Sequence, residues 1–269
     1  MYSGTTLNKK SGRIMGVHQK IDRIARRHIK KHLPSKVFFP DAKDILHFEG
    51  KNGPDGLKRK SPGTDEPWHF IDPLDTEKGA LLEDILDHFQ NLSTALASKN
   101  SERAAFEAAW LAHAITDGLT PAHHIPYEAA LAEIREGEHH MTRDSKYKKA
   151  VMPGATRRDV LRNNWKYWGA KGLMNMHLQF ELGVASTITA IRFDTDSFGE
   201  KWLAVDSEEK MIEQFLASLQ KISDLDMYGE FALKGWNRRL ARQTRDILVP
   251  EIARMVMCAW RVAALEANR

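Results

Sequence analysis

Apolar residues recur at helical spacing along most of this chain. In IMGVHQKIDRIARRHIKKH, Ile14, Val17, Ile21, Ile24 and Ile29 fall on one side with basic residues opposite, which predicts an amphipathic first helix over 14–32. Ala80, Leu81, Leu82, Ile85, Leu86, Phe89 and Leu92 give 76–99 the core face of a long helix. Another follows over 101–117 after the short break Lys99-Asn100-Ser101, so the two are expected to lie antiparallel. Helical patterns return over 173–191, 207–225, 231–242 and 250–267, the second of these opened by the Asp206/Glu209 capping-box pattern. No alternating run of useful length, internal repeat or low-complexity tract occurs. The expected fold is therefore all-α: a single helical domain over 1–269, of about eight helices, with a metal site between core helices.

Two stretches break the periodicity. FEGKNGPDGLKRKSPGTDEP, residues 48–67, carries glycines and prolines at intervals that predict a long irregular loop, and Trp68-His69-Phe70-Ile71-Asp72 follows it. Residues 133–170 are polar and basic, with arginines and lysines interleaved with Tyr147, Trp165, Tyr167 and Trp168. The part from 136 to 170 reads as an insertion. Such a mixture can hold phosphates and stack bases, and it equally describes a solvated excursion packed by its own aromatics.

Composition narrows the chemistry. One cysteine, Cys258, excludes a disulfide framework and a cysteine–zinc site, whereas twelve histidines make imidazole the available soft ligand. The net charge of +4 suits an anionic partner and is also common in ordinary proteins. The N-terminal stretch lacks the apolar region of a signal peptide, and no run approaches the ~20 apolar residues of a membrane span. From the sequence as given the protein is expected to be cytoplasmic without a transmembrane segment, or secreted if a leader has been removed; its oligomeric state is not readable.

WLAHAITDGLTPAHH, residues 110–124, places His113 and Asp117 four apart on a helical pattern, with His123 just past a proline turn. An i,i+4 pair shares a helix face, so an imidazole nitrogen and a carboxylate oxygen can reach one point, as a borderline cation such as zinc requires. His177 and Glu181 repeat the spacing. Both pairs lie on core helices, where an unpaired carboxylate is costly and a metal satisfies it. His18 precedes Asp22 by four beside the apolar stripe of the first helix, as a core histidine also would. The spacing also joins His28 to His32 and Asp84 to His88, both read as solvated charged faces.

HAITDGLTPAH resembles the His-x3-Asp-x5-His motif of the zinc-dependent phospholipase C family and its single-strand nuclease relatives. HLQFE at His177–Glu181 is similar to that family's last His-x3-Glu motif, and His69-Phe70-Ile71-Asp72 to its His-Phe-Ile-Asp segment. Asp55, fourteen residues before His69, is close to the spacing of the family's active-site aspartate, and Gly16-Val17-His18 matches its first-helix histidine. The resemblance spans about residues 15–190 in the family's motif order. It implies about two to three zinc ions: His69, His113 and Asp117 with Asp55 for the first, His123, His177 and Glu181 for the second, and His18 with a bridging Asp117 for the third. It also implies phosphodiester hydrolysis by metal-activated water, positioned or deprotonated by Asp55, with Asp72 and Asp22 as acceptors behind the imidazoles.

The implied partner is a phosphodiester substrate, phospholipid or nucleotide; the basic stretch Arg135–Lys171 separately suits an anionic membrane surface. Glutamate in the last motif favours the phospholipase C branch over the nuclease branch. Three features depart from the family. Its third zinc is held by the amino and carbonyl groups of an N-terminal tryptophan, whereas here no tryptophan precedes Trp68. The gap from His123 to His177 is long, and Asp55 has rivals in Asp41, Asp44 and Asp65. The alternatives are a nuclease or nucleotidase of the same superfamily, a metal-loaded scaffold without catalysis, and a helical module that holds RNA, DNA or an anionic membrane through residues 135–171, with the histidines structural.

Overall fold

A computed structural model describes residues 1–2, 16–33, 37–60, 69–76, 80–138, 142–193 and 199–269. The helices in chain order are α1 (Val17–Ile29), α2 (Ala42–His47), α3 (Pro54–Lys60), α4 (Ala80–Ala97), α5 (Ser101–Gly118), α6 (Tyr127–Ile134), α7 (Lys146–Ala150) and α8 (Arg157–Trp168). They continue with α9 (Leu173–Ile188), α10 (Glu200–Leu203), α11 (Glu208–Ser223), α12 (Met227–Lys234), α13 (Arg238–Gln243) and α14 (Val249–Glu266). Among the described residues no strand occurs, so the all-α single domain is as expected. No helix among them is long and apolar enough to cross a membrane.

The centre is α5. Its run of alanines lets neighbouring helices approach from several sides, and nearly every position from Ala104 to Gly118 is buried. Asn100 starts it, its side chain accepting from the Arg103 N–H at 3.1 Å, and Lys99 takes a left-handed φ of 54° to turn the chain back from α4. α4 and α5 thus pack side by side. α14 crosses behind them, tied to α5 by the bond from Trp260 Nε1 to the Ala108 carbonyl at 2.9 Å. α1 lies along α14 with Val17, Ile21, Ala25 and Ile29 inward, one apolar side every turn. Each of the larger of these side chains contributes about 1.5–3 kcal/mol through apolar area removed from water.

α9 is oriented by Phe180, which is fully buried and ringed by Tyr228, Phe231 and Trp236 at centroid distances of 5.4–5.6 Å. That anchor, with Val184 and Ile188 on the same side, turns His177 and Glu181 into the protein. A second, smaller apolar cluster of Tyr127, Leu131, Ile134, Met152 and Tyr167 holds α6 and α8 together and reaches Phe70. The basic stretch is therefore packed by its own aromatics and also rests against the segment that carries His69.

Several local expectations change. The stretch read as an irregular loop contains a 3-10 turn at Gly50–Asn52 and then α3, because Pro54 sits in its first turn where a missing N–H costs nothing. Asp65 and Trp68 lie outside the described residues. The helix expected over 231–242 is two helices, broken where Gly235 takes φ 68° and Asn237 starts α13 by accepting from the N–H groups of Arg239 and Leu240. α11 is started by Ser207, whose hydroxyl accepts from the Lys210 N–H at 3.4 Å, rather than by Asp206. His88 pairs with Glu107 of the next helix at 2.6 Å rather than with the acids of its own, and His28 is buried.

Candidate metal centre

α5 carries His113 and Asp117 in register, with His113 Nε2 3.3 Å from Asp117 Oδ2. Just past its end, the Thr120 hydroxyl donates to the Thr116 carbonyl at 2.6 Å, and the turn Pro121–His123 folds the chain back over the helix terminus. The segment from His69 to Ile71 runs along that turn. Ile71 N–H donates to the His123 carbonyl at 3.1 Å, and His123 Nδ1 lies 2.9 Å from the His69 carbonyl. This pairing orients both rings: His69 Nδ1 meets Asp117 Oδ2 at 2.7 Å, and His123 Nε2 faces Glu181 Oε1 at 3.3 Å and Asp117 Oδ1 at 3.8 Å. α9 supplies His177, whose Nε2 is 3.0 Å from Glu181 Oε1. Phe70 stacks on His123 with ring centroids 4.9 Å apart.

From the other side α1 brings His18, whose ring stacks on His113 at 4.0 Å and 7°. Its Nε2 lies 3.2 Å from Asp117 Oδ1. Asp55, in the first turn of α3, reaches within 3.8 Å of His113 Nε2 and remains partly exposed. Of its described rivals, Asp41 pairs with Arg26 at the surface and Asp44 is exposed.

The ligand atoms form two groups, His18/His113/Asp117 and His123/His177/Glu181, each with atoms within 4.8 Å of one another. The second is the set the family resemblance implies. The first joins His18 and His113, which the resemblance assigns to different ions, while His69 stands one hydrogen bond away on Asp117. Asp117 links the two groups, since its Oδ1 faces both His18 and His123.

Two participants are not among the residues named from the sequence. Met1 is one. Its side chain is in the core, Tyr2 accepts from the Val17 N–H at 2.8 Å, and the Met1 carbonyl lies 2.7 Å from His18 Nε2. The α-amino group consequently bonds Asp117 and lies 3.2 Å from Glu181, between the two groups. Glu49 is the other: its buried carboxylate lies 2.9 Å from His113 Nδ1 and also accepts from the Gly50 N–H. It takes the place behind the imidazole expected of Asp72, which instead is exposed and accepts from the Leu74 N–H. Asp22 is buried near Glu49, its Oδ2 without a hydrogen-bond partner; burial, then the Glu49 charge, push its carboxyl well above the usual range.

The electrostatics are those of a site that demands positive charge. Burial works against the Met1 ammonium, yet the carboxylates of Asp117, Glu181 and Asp55 raise it to about 10. His113 is likewise desolvated, and Glu49 and Asp117 hold it up at about 10. Asp117 and Glu181, although burial opposes it, are held well below the carboxylate range by the Met1 ammonium and the neighbouring histidines. His123, by contrast, is driven down to about 4 by burial, so it is a neutral donor at ordinary pH.

The donor set suits a metal. His113 turns one nitrogen to Glu49 while Nε2 is buried and makes no hydrogen bond, and His18 and His177 turn Nε2 toward Asp117 and Glu181. Substituting Glu49→Gln is expected to weaken metal affinity about 10–100-fold with little change in the metal-loaded fold. Competition with a chromophoric chelator measures this; an unchanged affinity would remove Glu49 from the centre.

A pH dependence follows for chelated protein. Met1 and His113 bind protons more tightly folded than unfolded, their pKa values rising from 8.0 and 6.5 to about 10. Their contribution to stability is fully present below about pH 6.5 and lost as pH climbs through 10. The melting temperature of chelated protein is thus expected to fall over that window, while metal-loaded protein, in which cations replace those protons, holds steady or rises. Identical profiles with and without chelator would refute the assignment. Comparison with protein-family models and with curated proteins finds no match to this chain; by its own geometry the centre is a buried pair of His/carboxylate groups able to hold metal ions.

Proposed function

We propose that this protein is a zinc-dependent phosphodiesterase of the phospholipase C type, using about two to three zinc ions. The observation that carries the reading is the pair of buried His/carboxylate groups joined through Asp117, with a histidine nitrogen of His113 left without a hydrogen bond between Asp117 and Asp55. Nitrogen and oxygen donors without thiolate suit zinc, and two adjacent cation positions suit displacement at phosphorus. Bound cations would lower the pKa of water, orient the phosphate and offset charge on the leaving oxygen.

The chain's residues do the rest. Asp117 carries negative charge to both groups, and Glu181 completes the second. Glu49 and the His69 carbonyl set which nitrogen of His113 and of His123 faces inward. Asp55, the partly exposed carboxylate at the edge, is positioned to orient a water or take its proton. Elemental analysis of purified protein, then hydrolysis of bis(p-nitrophenyl) phosphate with zinc added, tests the reading. Zinc with turnover that His113→Ala abolishes supports it. Metal-replete protein that turns nothing over, and behaves no differently from the variant, sinks it.

A further inference from the structure

α8 is built inside out. Its inner side is held largely by polar groups: the Asn163 amide donates to the Pro153 carbonyl at 2.7 Å and the Asn164 amide to the Met152 carbonyl at 2.9 Å, with Tyr167 buried beside them. Its solvent side is apolar. Leu161 and Trp165 are each 72% exposed and Trp168 is 44% exposed, at the i, i+4, i+7 spacing that makes one stripe. Arg157, Arg158, Arg162 and Lys166 share the helix with a single acid, Asp159. The ordinary arrangement of a water-facing helix is the reverse, so this stripe is shaped for contact with something other than water.

The helices beside α8 expose apolar groups as well. Tyr147 on α7 is 71% exposed, with Lys148 and Lys149 following it. α9, which packs on α8, adds Leu178 and Leu182 to the exposed apolar set and carries His177 and Glu181 on its inner side. The apolar cluster beneath α8 reaches Phe70, which stacks on His123. The helix that carries the exposed stripe and the metal centre are thus joined through one packed cluster.

The geometry points to this face as a docking surface for an anionic lipid bilayer, with Leu161, Trp165 and Trp168 entering the headgroup region and the flanking cations meeting lipid phosphates and carboxylates. Tryptophan beside basic residues on a helix of this pattern suits the membrane–water interface, where the ring is apolar and its N–H has a polar partner, as Trp168 Nε1 has in the Ala150 carbonyl at 2.6 Å. Stacked bases would use the tryptophans and cations but gain little from Leu161, Leu178 and Leu182, which favours lipid over nucleic acid. The inference rests on the phosphodiesterase reading only for what the docked bilayer offers the metals; the surface stands on its own exposure and charge.

Co-sedimentation with vesicles of phosphatidylcholine alone and of phosphatidylcholine with phosphatidylserine at about 7:3 tests it. Intact protein is expected to bind the anionic vesicles more tightly and to release them at high salt. The double variant L161S/W165S is expected to lose about tenfold or more in partitioning, and R157E/R158E to lose the anionic preference. Melting temperature, metal content and hydrolysis of soluble bis(p-nitrophenyl) phosphate should stay unchanged in L161S/W165S, which separates docking from folding and chemistry. Brominated lipid should quench tryptophan emission less in W165F than in the unaltered protein. Equal vesicle binding by protein and double variant overturns the proposal. So does binding of single-stranded oligonucleotide in preference to vesicles, or a dimer seen by light scattering that the double variant dissolves. Vesicle binding by protein that holds no zinc and hydrolyses nothing would instead overturn the phosphodiesterase reading and support the surface.

Discussion

Asp117→Asn is expected to remove at least one bound metal ion per chain and to lower phosphodiester turnover by about 100-fold or more. The substitution is nearly isosteric, so it changes charge at the one carboxylate that faces His18, His69, His113 and His123 together. In chelated protein it should also cost stability. The Met1 ammonium and the raised His113 then lose a buried counter-charge, a loss on the order of 3–5 kcal/mol where one partner of a buried pair is removed. Elemental analysis and thermal denaturation of both proteins, with and without chelator, separate the two effects. A variant with full metal content and lowered stability alone would make Asp117 a structural residue.

Extending the chain ahead of Met1 is the second large effect. The Met1 amine is wholly buried between Asp117 and Glu181, and the Met1 carbonyl faces His18. Two added residues, Gly-Ser, would convert that amine to an amide that can neither carry charge nor act as a neutral amine ligand, and would need space where the amine is buried. Metal content is expected to fall by at least one ion and turnover by about 100-fold or more relative to a chain whose first residue is Met1. Proteolytic removal of the extension should restore both. Equal metal content in the extended and unextended chains would show that the α-amino group has no part in the centre.

The family resemblance gives an N-terminal amine and carbonyl a place at the metals but ties them to a tryptophan, and the side chains of Met1-Tyr2 do not announce a buried amine. The structure brings it there through packing of the Met1 side chain and one backbone bond from Val17 to Tyr2. Glu49 escaped notice for a similar reason. It sits in a glycine-punctuated stretch without periodicity, 64 residues from the histidine it supports. The stretch read as an irregular loop nonetheless contains α3, and Gly56 permits it: a Cβ there would come within 2.0 Å of the Lys51 carbonyl.

Local contacts were the legible part. His113 with Asp117 and His177 with Glu181 are i,i+4 pairs, and a helix brings such side chains together whatever surrounds it. The antiparallel α4–α5 pair and the all-α architecture follow from the same periodicity and from a three-residue break. Charge and aromatic content of residues 133–170 were equally plain.

What those residues face was not. The periodicity of α8 identifies a helix and its stripes, but only packing against Met152, Pro153 and Tyr127 decides that asparagines turn inward and Leu161 and Trp165 turn out. By itself the sequence determined which side chains lie together within a helix, because helical geometry is local and repeats every 3.6 residues. The tertiary structure decided that His18 stacks on His113, that Asp117 joins two groups of ligands, and that the amine of residue 1 lies among them. Those contacts span up to 116 residues of chain and depend on how whole helices fill a shared core, which no local pattern encodes.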